Sequence, residues 1–296
     1  MSRVLLTGAS SGIGRELARE LAARRWRLAI AARRRDALET LADELEAAGL
    51  PRPVVCVADL GQRGAAAALA QEATAALGGV DVLVNNAGGG VGGQIGTIGD
   101  RDEGREAFEI NYWSPLALVR ALLPGMRERG TGTIVNVTSI AQVNTWAGFG
   151  AYASTKAALS TATETLRLEL IGTGVHVLEA IPGPVDTAVQ GETRLAPGIE
   201  KMLDRVPLGD AREMARRIVR AMDRRSAHVI YPRPAALAYH LPSMARRDTR
   251  RVAKRVAREL DPAVREGLDG LVVRTGSMGD ELARTAREAW ERERGR

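Results

Sequence analysis

Between Arg3 and Pro232 the chain alternates short apolar runs with longer stretches in which apolar residues return every three or four positions. Runs of the first kind fall at 4–6, 28–32, 54–57, 80–84, 133–137, 175–180 and 229–231. Each is too short for a helix and is bounded by turn residues, so the pattern predicts seven strands. Stretches of the second kind predict helices over 13–23, 36–48, 65–77, 103–128, 152–171 and 211–224. Strands and helices taking turns in this order predict an α/β fold, with one doubly wound parallel sheet buried beneath helices on both faces. The glycine-rich stretch 88–93 reads as a permissive loop. Past Tyr231, Pro232 and Pro234 interrupt regular structure before an arginine-dense stretch, which predicts a main body over 1–232 and a helical appendage over 233–296.

Composition refines this picture in three places. Of the 296 residues 45% are apolar but only 3% aromatic, so the core must be built from Ala, Val, Leu and Ile. The single cysteine, Cys56, excludes an intramolecular disulfide, and its apolar neighbours predict a buried thiol in a reducing compartment. No apolar run approaches a membrane span, and the first strand opens at Arg3, so neither a secretory leader nor a membrane helix is expected and the location expected is cytoplasmic.

Charge is distributed unevenly. The net charge is +6, yet residues 1–232 hold 27 basic and 26 acidic side chains, against 15 and 10 in residues 233–296. In that tail Val252, Ala253, Val256, Ala257 and Leu260 share one helical stripe, with Arg246, Arg247, Arg250, Arg251, Lys254, Arg255 and Arg258 on the other side. The Val and Ala face lacks the Trp, Phe and Leu of membrane-surface helices, and the basic stripe lacks the aromatics of a single-strand binder. Packing against the main body or a second subunit ranks first, an anionic membrane surface second, and no nucleic-acid partner is expected. A further helix is predicted over 280–292, with Leu282, Ala286, Ala289 and Trp290 as its apolar face.

Candidate chemistry begins at the first strand, where Val4-Leu5-Leu6-Thr7-Gly8-Ala9-Ser10-Ser11-Gly12-Ile13-Gly14 runs into a helix through glycines spaced G-x-x-x-G-x-G. Glycines let the backbone turn sharply and approach a pyrophosphate, which amides at the helix start can bind. At the end of the second strand, about 20 residues on, an acid would bind an adenosine ribose and an arginine a 2′-phosphate. Here Arg33 stands there, with Arg34 able to share the charge, so the dinucleotide expected is NADPH, with NADH still open. Tyr152 and Lys156 lie four apart at a predicted helix start and share one face. An ammonium beside a phenol favours the phenolate, moving its pKa toward the working range. Ser139 closes the run Asn136-Val137-Thr138-Ser139 at the carboxyl edge of a strand, where it can meet Tyr152 over a substrate.

With these features in place, residues 3 to 232 resemble the short-chain dehydrogenase/reductase family. Thr7, Gly8, Gly12, Ile13 and Gly14 match its glycine motif; Asp59, followed by Leu60, its adenine-contacting acid; and Asn85, Asn86, Ala87 and Gly88 its Asn-Asn-Ala-Gly motif. Asn111, Ser139, Tyr152 and Lys156 fall on its catalytic tetrad, Pro182 and Gly183 on the segment beside the nicotinamide, and Thr187, just past Val185, on a threonine that contacts the carboxamide. The resemblance implies a Rossmann-type dinucleotide-binding and catalytic domain over 1–232, with Ser10, Ser11 and Val185 also beside the cofactor. It further implies that Tyr152 exchanges a proton with the substrate oxygen, Ser139 polarises the carbonyl, and Lys156 lowers the Tyr152 pKa and bonds the nicotinamide ribose. Asn111 would hold a relay water, and the assembly would be a homodimer or homotetramer. Asn85, and as readily Asn86, could instead be structural, satisfying loop amides.

The loop after the sixth strand is expected to cover the substrate. Val143, Trp146, Phe149 and Val189 suggest an apolar ketone, aldehyde or secondary alcohol of moderate size. An epimerase or dehydratase of the same fold stays open, as does, from another class, a dinucleotide-sensing regulator or scaffold with little turnover. The filled tetrad argues against the latter.

Overall fold

The computed structural model describes residues 1–99, 101–144, 147–185, 208–259 and 272–274. Seven parallel strands form one sheet: β1 (Arg3–Thr7), β2 (Arg27–Ala32), β3 (Val54–Val57), β4 (Val82–Asn85), β6 (Gly132–Val137), β7 (Val175–Pro182) and β8 (His228–Tyr231). Their order is β3-β2-β1-β4-β6-β7-β8. The chain therefore winds outward from β1 in one direction and then, from β4, in the other, leaving a crevice at the carboxyl ends of β1 and β4.

Period-two alternation sends strand side chains to opposite faces. Val4, Leu6, Val84, Val135 and Leu178 meet α1 (Gly12–Ala23), α2 (Arg35–Ala47) and α8 (Ala211–Asp223) through Leu17, Leu21, Leu38, Leu41, Met214 and Ile218. Leu5, Leu83, Ile134 and Val177 meet α3 (Ala65–Leu77), α6 (Ser114–Glu128) and α7 (Gly150–Glu169) through Leu69, Leu118, Leu122, Met126 and Leu166. Both faces are thus covered by aliphatic side chains, as the poverty in aromatics requires. Cys56 is buried in the second layer, and burial pushes its thiol up to about 12, so it is an inert core residue.

Three departures from the sequence pattern matter for function. The helix predicted over 103–128 is broken into α5 (Asp102–Phe108), a π-helical turn (Glu109–Trp113) and α6. Residues 88–93 are not all loop: β5 (Val91–Gly93), followed by the short α4 (Ile95–Ile98), pairs antiparallel with β9 (Val272–Arg274) of the tail. The tail also forms α9 (Arg233–His240), separated from β8 by Pro232 alone, and α10 (Pro242–Glu259). The predicted amphipathic helix is present, but its inward side is Ala245, Thr249 and Val252, while Ala253 is exposed. Leu260 and the helix predicted over 280–292 lie outside the described residues.

Candidate active site

The crevice begins with Thr7, the last residue of β1. Its hydroxyl donates to the Val84 carbonyl (3.2 Å) and accepts from the amides of Asn86 and Ala87 (both 3.0 Å). Asn86 Nδ2 answers by donating to the carbonyls of Thr7 (3.0 Å) and Gly8 (3.1 Å). Asn86 is therefore a brace for the glycine loop, the structural alternative left open from sequence. Asn85 is structural as well: its Nδ2 donates to Asn136 Oδ1 (2.8 Å), and Asn136 Nδ2 donates to Thr163 Oγ1 (2.8 Å), stitching β4, β6 and α7 together.

The glycines are held to their identity by space. Gly8 has φ +70°, and a Cβ there would stand 2.7 Å from Ala87 Cα. At Gly14 a Cβ would stand 2.1 Å from the Gly8 carbonyl oxygen, so only glycine lets α1 dock this closely. Ser11, the N-cap of α1, makes no side-chain capping bond, so the first-turn amides of the helix are open to an anion. Ile13 packs into the core beneath this turn. Arg34 Nη2 donates to Ser10 Oγ (3.2 Å), bringing the end of β2 to the loop, whereas Arg33 is exposed and makes no ion pair among the described residues. Asp59 Oδ1 accepts the Gly61 amide (3.1 Å), and buried Leu60 accepts the Ser114 hydroxyl (2.8 Å), fixing the turn after β3. A cradle built on Gly8, Gly12 and Gly14, uncapped helix amides and a basic pair at its rim fit the phosphates of a dinucleotide.

On the other side of the crevice stand the groups with proton chemistry. Asn111 lies in the π turn and is fully buried; its Nδ2 donates to the Gly89 carbonyl (2.6 Å) and its Oδ1 accepts the Gly89 amide (3.3 Å). The widened turn aims it inward, the recurrent use of such bulges at functional sites. A Cβ on Gly88 would lie 3.0 Å from Asn111 Oδ1 and 3.4 Å from Lys156 Nζ, so these two side chains converge over a residue that must be small. Lys156 rises from α7, is 3% exposed, and donates to the Val137 carbonyl (3.0 Å). Burial pushes its ammonium down to about 8.

One turn earlier on α7, Tyr152 places its ring centroid 5.9 Å from Lys156 Nζ. Burial raises the phenol above its usual value, and the Ser139 side chain pulls against that rise. Lys156 donates to the Val137 carbonyl (3.0 Å) rather than to the phenol, and the direction of the Tyr152 shift comes from burial and Ser139 alone. Ser139 follows β6 in extended conformation and accepts the Ala141 amide at Oγ (3.2 Å). Beneath it, Thr138 Oγ1 donates to Glu179 Oε1 (2.9 Å); Glu179 is 1% exposed, a buried acid that no sequence motif flagged.

Pro182 ends β7, and the Gly183 amide donates to the Tyr231 carbonyl (2.7 Å), where a Cβ would collide with Ala235 at 2.8 Å. Buried Val185 forms a parallel bridge to Gly209. Thr187, Trp146 and Val189 lie outside the described residues; Val143 and Phe149 are half-buried beside the site. Among the described residues no helix is long and apolar enough to cross a membrane, and no cluster could hold a metal ion.

A family model described as short chain dehydrogenase matches residues 2–197. A short chain dehydrogenase of Pseudocercospora fijiensis is 39% identical over 62% of this chain, and the match spans only 59% of its own length. The ketoacyl reductase HetN of Nostoc sp. is 33% identical over 77% of each chain. A fatty acyl-CoA reductase of Mycobacterium tuberculosis is 32% identical over 88% of this chain and 86% of its own. Among solved structures, a short-chain dehydrogenase from Streptomyces avermitilis superposes with TM-score 0.72 at 32% identity, covering 88% of this chain and all of that one. One from Sphingobium yanoikuyae in complex with NADPH gives 0.71 at 27%, covering 84% and 94%. Another, from Burkholderia phymatum in complex with NAD, gives 0.71 at 28%, covering 80% and 91%.

Proposed function

This chain belongs to the short chain dehydrogenase family, and from that premise we propose that it uses NADPH to interconvert a carbonyl and an alcohol, with Tyr152 as general acid and base. The observation that carries the reading is the convergence of Asn111, Ser139, Tyr152 and Lys156 on the crevice whose opposite wall is the glycine loop. When bound, the dinucleotide supplies or accepts the hydride.

The chain's own residues do the rest. The Tyr152 phenol, raised by burial above its ordinary value, donates to a substrate oxygen as negative charge grows there. The Ser139 hydroxyl bonds the same oxygen and holds the carbonyl in line. Lys156, with its ammonium brought down to about 8, loses and regains a proton near physiological pH, and Asn111 beside it extends the path toward Gly88 and Gly89. In the oxidative direction the same groups withdraw the alcohol proton.

The choice of NADPH rests on Arg33 and Arg34, since the solved relatives hold NADPH in one case and NAD in another. The substrate class rests on half-buried Val143 and Phe149, and on relatives named as ketoacyl and fatty acyl-CoA reductases. An apolar acyl chain bearing the carbonyl fits both. The 1–232 portion is the catalytic unit in this reading, and assembly is as a homodimer or homotetramer in a cytoplasmic setting. The test is consumption of NADPH with a panel of 3-oxoacyl and aliphatic ketone substrates, comparing wild type with Tyr152→Phe. Loss of turnover by a factor of about 10² to 10⁴ is expected, with NADPH binding retained by fluorescence. Equal rates would remove Tyr152 from the mechanism.

A further inference from the structure

Helix α10 of the tail is fastened to the loop between Ser139 and Tyr152 at Val143 and Asn144. Arg246 Nε donates to the Val143 carbonyl (2.9 Å), and the Thr249 hydroxyl, 9% exposed, bonds Asn144 Oδ1 (2.8 Å). A second anchor lies beside the first, where β9 pairs with β5 just beyond Gly88 and Gly89, and the Gly93 amide of β5 donates to the Gly148 carbonyl of that same loop (2.9 Å). The tail thus touches both loops that border the proposed catalytic residues.

What α10 brings there is net positive charge, since Asp248 is the one acid among its side chains described through Lys254. Arg246, Arg247, Arg250, Arg251 and Lys254 are all exposed, and none has a carboxylate within ion-pair distance among the described residues. The main body differs: Arg3, Arg24, Arg52 and Arg216 pair with acids. Helical spacing carries the basic arc around from Arg246 through Arg250, Lys254 and Arg247 to Arg251. The arc therefore begins at the edge that grips the active-site loop and continues outward from it.

We propose that α10 is an anion-binding rim of the substrate pocket, and that the preferred substrate carries a phosphate-bearing group remote from its reacting carbonyl. This rests on the carbonyl-reductase reading above and names the substrate class for it: an apolar acyl chain enters the crevice while its anionic carrier lies along α10. Guanidinium groups suit phosphate oxygens, and several held on one rigid helix act together.

The same 3-oxoacyl group is offered as its coenzyme A thioester and as its N-acetylcysteamine thioester, which has no phosphate. Wild type and Arg250→Gln/Arg251→Gln/Lys254→Gln are compared; this variant keeps both anchors and substitutes good helix formers. In wild type the coenzyme A thioester should have the lower KM, rising with salt. In the variant that KM should rise about tenfold, while the KM of the N-acetylcysteamine thioester, its kcat and the KM for NADPH stay unchanged. Equal wild-type KM values for the two thioesters, or an equal loss on both in the variant, would overturn the proposal. Calorimetry of free coenzyme A against pantetheine on the NADPH-loaded protein reads the rim without turnover. Tighter binding of coenzyme A that the variant loses supports the rim even where neither thioester is reduced, an outcome that would instead defeat the carbonyl-reductase reading. Equal binding of the two overturns it. Arginine-dependent binding to phosphatidylglycerol vesicles without thioester discrimination would overturn it too, assigning the helix to a membrane surface.

Discussion

Lys156 carries a stability cost that can be measured apart from catalysis. It is 3% exposed, and its ammonium has moved from the ordinary 10.5 to about 8 through burial. At 1.36 kcal/mol for each tenfold change in proton affinity, that displacement amounts to roughly 3.4 kcal/mol held against the folded state while the lysine is charged. Below pH about 8 the side chain is charged both folded and unfolded, so the cost is fully present. Between about 8 and 10.5 the unfolded chain binds more protons than the folded one, so stability rises with pH and the cost disappears. Lys156→Met keeps the stem and removes the charge. It also forfeits the bond to the Val137 carbonyl, about 1 kcal/mol. The cofactor-free variant should therefore be more stable than wild type by roughly 2 kcal/mol at pH 7. The gain should fall through zero below pH 10.5 and reverse above it to a loss of about 1 kcal/mol, the value of the forfeited bond, while turnover falls by about 10² or more. Urea unfolding at several pH values, read as midpoint and slope, measures this. A variant less stable than wild type at pH 7, or a stability difference that ignores pH, would refute the reasoning.

Other expectations follow from the same geometry. Arg33→Asp should lower kcat/KM for NADPH by about tenfold to a hundredfold, the value of a bond to a charged group, and improve NADH; a preference unchanged in steady-state kinetics would exclude Arg33 from the phosphate site. Gly14→Ala drives a methyl to 2.1 Å from the Gly8 oxygen, so it should destabilise by about 2 kcal/mol or more and abolish dinucleotide binding, seen by calorimetry and thermal unfolding. Thr138→Val leaves buried Glu179 without its hydroxyl donor and should cost about 1–3 kcal/mol in denaturant unfolding.

The seven strands and the two-layer covering were legible because a parallel sheet imposes short, continuous apolar runs that little else produces. The glycine loop was legible for a related reason: backbone that must approach within contact distance excludes every other side chain at Gly8 and Gly14. Asn111 was found by motif, but the π turn that presents it left no periodic trace, since one widened turn barely shifts a helical repeat. β5 and β9 were illegible because three residues apiece, two of them glycines in β5, carry no alternation, and their pairing joins positions about 180 residues apart. Arg246 was visible only as a member of a charged stripe and Thr249 not at all; their meaning depends on which loop the helix meets. The direction of the Tyr152 pKa was also beyond reach, because spacing along α7 reports that Tyr152 and Lys156 share a face but not where the ammonium points.

The brace between Thr7 and Asn86 makes the dinucleotide loop a two-part device. The segment from Thr7 to Gly14 has no separate existence: its carbonyls are held by Asn86, and its threonine holds the amides of Asn86 and Ala87 in return. Transplanting the glycine motif alone into another strand-to-helix turn would deliver a sequence without its shape. The portable unit is the motif together with the end of β4, and a graft that carries one half should recover binding only when the other half follows.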